Sequence, residues 1–168
     1  GKRFGILGLG QIGHAIAQRL APFGPVSWSG PRQKQVPWPY HADVFSLARA
    51  SDVLVVACPA TTATRHLVNA KVIEALGPRG YVVNISRGAV VDESALAGAL
   101  AEGRLAGAAL DVFENEPHVP ASLLGLSNTV LTPHVASATH ETRRHMADLV
   151  LANLDAYLQG RPLPATPF

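Results

Sequence analysis

Arg3-Phe4-Gly5-Ile6-Leu7-Gly8-Leu9-Gly10-Gln11-Ile12-Gly13 is the stretch that decides the fold. Its first five residues are an apolar run with strand character, and the next six carry the pattern GxGxxG. Gln11 to Phe23 then reads as a helix, with Ile12, Ile16 and Leu20 spaced to cover one face. Strand, glycine turn and helix in that order is the context in which the pattern carries information. The glycines permit a tight turn and let the backbone approach a pyrophosphate. The helix start adds free N–H groups and the positive end of its dipole. A dinucleotide site is therefore expected at Gly8, Gly10, Gln11, Ile12 and Gly13.

Working outward, apolar runs keep alternating with helical stretches, which predicts βα units and a parallel sheet. Gly24 and Pro25 end the first helix, and Val26 to Ser29 is a second strand. Residues 30 to 42 are rich in proline and polar residues and read as a loop. Asp43 to Ala50 is a short helix with Asp43 as N-cap. Asp52 to Ala57 is a buried strand, rich in β-branched residues. Residues 61 to 76 read as two short helices broken near Asn69, which caps the second. Tyr81 to Ile85 is a strand, Asp92 to Glu102 a helix closed by Gly103, and Leu105 to Val112 a strand of small residues. Thr129 to Leu131 is the last strand. A helix from Ser137 to Leu158 carries an apolar stripe of Met146, Leu149, Val150, Leu154, Tyr157 and Leu158. The fold class is α/β: a doubly wound parallel sheet of six to seven strands, a dinucleotide-binding domain of the Rossmann type covering residues 1 to 168.

The bulk properties agree. The chain has 168 residues, 48% hydrophobic and 15% charged, enough for one domain with a sizeable core and unlike a disordered chain. The net charge of +2 is small and unclustered, so no nucleic-acid partner is expected. No apolar run approaches the ~20 residues of a bilayer span, so no membrane partner is expected. The single cysteine, Cys58, excludes an internal disulfide and fits a reducing, cytoplasmic compartment. The chain starts at Gly1 and enters its first strand at once, which reads as a domain cut from a longer protein. His140-Glu141 and His145 suggest a zinc-protease pattern, but the second ligand position holds Arg144, so no metal is expected.

The end of the second strand bears on the cofactor. A site for NAD usually places an acid there, to bond the ribose 2′-hydroxyl. This chain has Ser29-Gly30-Pro31-Arg32-Gln33-Lys34 and no carboxylate between Gly13 and Asp43. An acid would repel a 2′-phosphate, whereas hydroxyl, Arg and Lys hold one. NADP(H) is favoured, with NAD(H) as the alternative if Arg32 and Lys34 are ordinary solvated cations.

Three further segments follow strand-like runs: Asn84-Ile85-Ser86-Arg87-Gly88, Asp111-Val112-Phe113-Glu114-Asn115-Glu116-Pro117 and Pro133-His134. In a parallel sheet the carboxyl ends of the strands face one crevice, so Arg87, an acid and His134 are expected to converge there. Imidazole titrates in the range useful for general acid–base work, and His134 is singled out by its place at a strand end.

These segments, with Val91-Asp92-Glu93-Ser94-Ala95-Leu96, Gly107 to Pro117 and Thr132-Pro133-His134, resemble the D-isomer-specific 2-hydroxyacid dehydrogenases over essentially the whole chain. Ser51 to Pro59 and Met146 to Val150 look most like the NADPH-dependent glyoxylate/hydroxypyruvate and hydroxyphenylpyruvate reductases of that family. The resemblance implies a cofactor domain inserted in a substrate-binding domain that this chain lacks, with residues 162 to 168 as a link back to it. It implies reduction of a small 2-oxo acid to the 2-hydroxy acid, in a homodimer. Arg87 would hold the substrate, His134 would be the general acid and base, and Glu116 rather than Glu114 would orient His134 and favour its protonated form. Asp111 would bond the nicotinamide carboxamide. Cys58, Pro59 and Thr64 would line the middle of the cofactor; Ile85, Ser86, Ala136 and Ser137 the nicotinamide end, beside Arg87 and His134. Two other readings stay open: an NAD-dependent dehydrogenase of another 2-hydroxy acid, and a dinucleotide-sensing module like the corepressor branch of the family.

Overall fold

A computed structural model describes residues 1–165; the last three residues of the expected link at 162 to 168 lie outside them. The chain divides into two units, Gly1–Pro133 and a second that begins at His134.

The first unit is built on seven parallel strands: β1 (Phe4–Leu7), β2 (Val26–Ser29), β3 (Tyr40–His41), β4 (Val53–Val56), β5 (Tyr81–Asn84), β6 (Gly107–Leu110) and β7 (Thr129–Leu131). Their order across the sheet is β3-β2-β1-β4-β5-β6-β7. The order reverses at β1, so a crevice opens between the carboxyl ends of β1 and β4, where a ligand of such a fold is expected. Five helices cross between strands: α1 (Gln11–Leu20), α2 (Val44–Arg49), α3 (Ala70–Leu76), α4 (Glu93–Ala101) and α5 (Ala121–Leu124).

Alternation along the strands sorts the core into two layers. In β4, Leu54 and Val56 join Leu7, Val82 and Leu110 beneath α2, α3 and α4, where Leu47, Ile73 and Leu96 are buried. Val55 points the other way, with Ile6, Val26 and Trp28, and packs against Ala17 of α1. Helices thus lie on both faces, and the doubly wound expectation holds. The local signals at Asp43, Asn69 and Asp92 also hold: each side chain accepts backbone N–H groups at the start of its helix.

Several expectations need correction. α1 stops at Leu20, not Phe23. Ala21 is still helical in geometry, but Pro22 has no N–H to continue the ladder, and the chain then turns so that Phe4 N–H reaches the carbonyl of Pro25. Ile12 is 64% exposed and does not share the buried face of α1, which is made by Gly13 and Ala17. The loop at 30 to 42 hides β3, where Tyr40 pairs beside Trp28 with ring centroids 4.9 Å apart. Residues 62 to 66 form turns, not a helix. The hydroxyl of Thr64 takes the N–H of Thr61 and donates to the carbonyl of Pro59, a local competitor to helix bonds. His66 turns left-handed (φ 48°), and Val68 then bridges to Val91. α5, one turn between β6 and β7, is too short for its sequence to show a helical period.

The second unit holds α6 (His140–Leu158). Thr139 caps it by accepting the N–H of Thr142. The side-chain amide of Asn153 binds both the N–H and the carbonyl of Ala165, fixing the tail. The expected apolar stripe is not buried: Met146, Val150, Leu154, Tyr157 and Leu158 are exposed, and Ala156 is the buried residue of the helix.

Candidate active site

The turn between β1 and α1 is shaped by missing side chains. Gly8 adopts φ 95°, and a Cβ there would lie 2.5 Å from the backbone of Cys58. A Cβ on Gly13 would collide with the carbonyl oxygen of Gly8, so α1 can start hard against the turn only with glycine there. Gly10 differs: it is exposed, and a Cβ would meet nothing within 4 Å. It is also the N-cap of a ten-residue helix that no side chain caps. Open space beside backbone donors at a helix start suits an anionic group, so the residues present fit a dinucleotide diphosphate. The ammonium of Lys34 reaches back and donates to the carbonyl of Leu9 at 2.7 Å.

Two cavities of about 480 Å³ each meet beside this turn. The first is lined by Gly10, Gln11, Ile12, Cys58, Pro59, Ile85, Ser86 and Arg87. The second is lined by Gly8, Ser29, Gly30, Cys58, Pro59 and Thr64, with Asp43 and Leu67. Cys58 and Pro59 belong to both. Burial pushes the Cys58 thiol up, which keeps it protonated and makes it a packing group. Arg32 is exposed and lines neither cavity. Asp43 is a carboxylate on the second cavity, but it is engaged in capping α2: its Oδ1 accepts the N–H of Ser46 at 2.8 Å, and that bond holds its pKa down.

The loops after β5 and β6 carry the remaining polar groups of the first unit. Asn84, 1% exposed, brackets the first loop: its Oδ1 accepts the N–H of Ser86, and its Nδ2 donates to the carbonyl of Arg87. The Arg87 guanidinium donates to the carbonyl of Ser86 at 2.7 Å, and the residue is exposed. Asp111 is buried at the end of β6 and accepts the hydroxyl of Thr132. Glu114 accepts from Arg65 at 2.6 Å and lies 3.2 Å from the His66 ring nitrogen. Glu116 is exposed, and its Oε1 accepts the N–H of Phe113 at 3.0 Å. The Glu116–Pro117 peptide bond is cis.

His134, Ala136 and Ser137 lie in the second unit, of which His134 is the first residue. The His134 backbone is left-handed, φ 55°. A non-glycine residue there is strained by about 1 kcal/mol, and such outliers concentrate at functional sites.

In the first unit, then, the structure gathers the glycine turn, Ser29, Gly30, Cys58, Pro59, Thr64, Ile85, Ser86 and Arg87 around two adjoining cavities. Sequence reading missed Asn84, Glu93, Thr132 and the Arg65–His66 pair as supports of these loops. Of these, Asn84 alone had a local signal, an Asn opening a turn.

The sequence pattern of a family described as "D-isomer specific 2-hydroxyacid dehydrogenase, NAD binding domain" matches residues 1–136. Hydroxyphenylpyruvate reductase of Plectranthus scutellarioides is 54% identical over 165 residues, 97% of this chain and 53% of its own. A glyoxylate/hydroxypyruvate reductase of Arabidopsis thaliana matches with the same identity and coverage. Among solved structures, the NADPH-dependent glyoxylate/hydroxypyruvate reductase of Sinorhizobium meliloti, in complex with NADP and malonate, is 48% identical with a TM-score of 0.90; the match covers 94% of this chain and 50% of that one. The chain spans about half the length of the relatives it matches.

Proposed function

The chain belongs to the D-isomer-specific 2-hydroxyacid dehydrogenase family, and from that premise we propose that it is the cofactor-binding, catalytic-residue-bearing part of an NADPH-dependent reductase of small 2-oxo acids, of the glyoxylate or hydroxypyruvate type. The observation that carries the reading is one cavity lined by both the uncapped start of α1 and Arg87. A dinucleotide held at the glycine turn and a substrate held by Arg87 then share one space.

The residues divide the work. Gly10, Gln11, Ile12 and Gly13 offer backbone N–H groups to the diphosphate, and Gly8 makes the turn that aims them. Ser29, Gly30, Arg32 and Lys34 take the 2′-phosphate. Ser29 supports that choice, since a short hydroxyl stands where an acid would repel the phosphate. Cys58, Pro59 and Thr64 flank the middle of the cofactor. Ile85, Ser86, Asp111, Ala136 and Ser137 serve the nicotinamide, which when bound supplies hydride to the carbonyl carbon of the substrate. The fixed fork of Arg87 binds the carboxylate and carbonyl oxygen of the 2-oxo acid and orients it. His134 donates a proton to that oxygen, and the alkoxide becomes the hydroxyl of the product. Glu116 accepts from the other imidazole nitrogen and favours the protonated ring. The engagement of Glu114 by Arg65 and His66 supports giving this part to Glu116. The reading extends to a homodimer in the cytoplasm; the lone buried thiol of Cys58 supports a reducing compartment, and sedimentation tests the dimer.

Parallel titration with NADPH and NADH, followed by nicotinamide fluorescence, tests the cofactor. NADPH is expected to bind at least ~tenfold tighter, about 1.4 kcal/mol; equal affinity overturns the phosphate site. In the full-length protein, His134→Ala is expected to abolish most 2-oxo acid turnover while NADPH still binds. Unchanged turnover overturns the mechanism.

A further inference from the structure

Arg87 and Glu116 both sit on loops, so their separation depends on how those loops are held. Gly88, next to Arg87, is buried, and a Cβ there would collide with the backbone of Phe113 and Glu114. The loop that carries Glu116 is thus laid backbone to backbone against the loop that carries Arg87. Packing alone leaves such a contact free to slide. A hydrogen bond pins it: the carboxylate of Glu93 accepts the N–H of Glu114 at 2.6 Å, across 21 residues of sequence.

Glu93 is unusual for a helix-start acid. It is 8% exposed, although Glu is seldom buried without a partner. Burial pushes its pKa up, and the nearby Glu114 and Glu116 carboxylates push the same way, while the N–H of Glu114 and His66 oppose them. The start of α4 does not need it for capping, because Asp92 already accepts the N–H of Ala95. Its carboxylate is spent on the loop. The anchored N–H lies one residue beyond Phe113, whose own N–H holds the Glu116 carboxylate. The Glu116 carboxylate is therefore seated on the Val112–Phe113 peptide, which adjoins, across the Phe113 Cα, the Phe113–Glu114 peptide that Glu93 anchors.

We propose that Glu93 is a positioning residue for the reaction: it fixes the Phe113–Glu114 peptide against Gly88 and so sets Glu116 relative to Arg87. This rests on the function proposed above. The chemistry asks for a carboxylate because a charged acceptor makes a shorter and stronger bond than a neutral one. Small displacements at a reacting centre carry large rate penalties.

The test compares Glu93→Ala with Glu93→Gln, which keeps an acceptor oxygen, in the full-length protein. Readouts are kcat and KM for glyoxylate and hydroxypyruvate, NADPH affinity by fluorescence, and amide hydrogen exchange over residues 111 to 117. Glu93→Ala is expected to lower kcat about tenfold or more, because a loosened loop misplaces Glu116, with NADPH affinity within about twofold of the native value. Exchange at 113 to 116 should rise, with β5 and β6 unchanged. Glu93→Gln should recover kcat to within about threefold of native. A kcat for Glu93→Ala close to native overturns the proposal; so does a kcat loss matched by an equal loss of NADPH binding, or a Gln variant no better than Ala. If Glu93→Ala does not fold, Glu93→Asp takes its place, since it withdraws the carboxylate from the N–H while keeping the charge; native kcat and exchange there overturn the proposal. A native protein that neither binds NADPH nor turns over 2-oxo acids sinks the proposed function itself, a different result from an active native enzyme indifferent to Glu93.

Discussion

The turn between β1 and α1 and the loop between β6 and α5 stand at the same edge of one sheet and are made in opposite ways. The first is backbone: glycines remove side chains, and the N–H groups of α1 stay uncapped. The second is side chain: Glu93 ties down Glu114, Arg65 and His66 engage its carboxylate, and Glu116 hooks its own loop at Phe113. A backbone site is set by what is absent at a few positions. A side-chain site is set by pairings across long stretches of sequence. The first should fail through added atoms, the second through removed ones.

The strongest test of the contrast adds atoms to the turn. Gly13→Ala places a methyl against the Gly8 carbonyl, a backbone atom that cannot move aside. We expect a loss of about 3 kcal/mol in urea unfolding and no measurable dinucleotide binding. The reverse test removes atoms from a loop. Asn84→Ala strands the N–H of Ser86 and the carbonyl of Arg87 at a buried position, which should lower stability by about 2 kcal/mol. It should also raise KM for 2-oxo acid more than it weakens NADPH binding.

Gly10→Ala sharpens the comparison, because the open space there leaves folding untouched. Stability should stay within about 0.5 kcal/mol, while NADPH affinity measured by fluorescence falls about tenfold. A stability loss would mean that Gly10 serves the fold and not a ligand.

The smallest effect is a control at the opposite, amino end of the sheet. Asp52 accepts the backbone N–H of Arg3 and two guanidinium bonds, and Arg3 holds its carboxyl well below the usual range. A depressed carboxyl pKa adds stability above the unfolded value, near 3.9, and that stability is lost as the pH falls below it. The Arg3 side chain is 51% exposed and that of Asp52 26%, so solvent screening holds the contribution to about 0.5 kcal/mol. Asp52→Asn should flatten the acid side of the curve of unfolding free energy against pH by that amount and leave NADPH affinity unchanged.

The same contrast governs what could be read from sequence. GxGxxG, the β-branched run of β4, the caps at Asp43 and Asn69 and the helix start at Asp92 are local patterns with local causes, and all are found. The Glu93–Glu114 tie and the His66–Glu114 pair join residues 21 and 48 positions apart, and no local pattern announces them. The segment at 62 to 66 departs from its helical pattern because the Thr64 hydroxyl competes for backbone groups and Val68 bridges to Val91. β3 is two residues long, too short for periodicity to register. Ile12 fits a helical apolar spacing yet lines an open cavity beside the turn, where an apolar surface serves a ligand better than a core.

The exposed stripe of α6 decides how this chain can be watched in solution. Val150, Leu151, Leu154 and Leu158 give an environment-sensitive apolar dye a place to bind while every helix is intact. Dye fluorescence will start high in the native state, and a dye-based melt will show little rise on unfolding. Trp28, 1% exposed beneath α1, reports the same transition without that background.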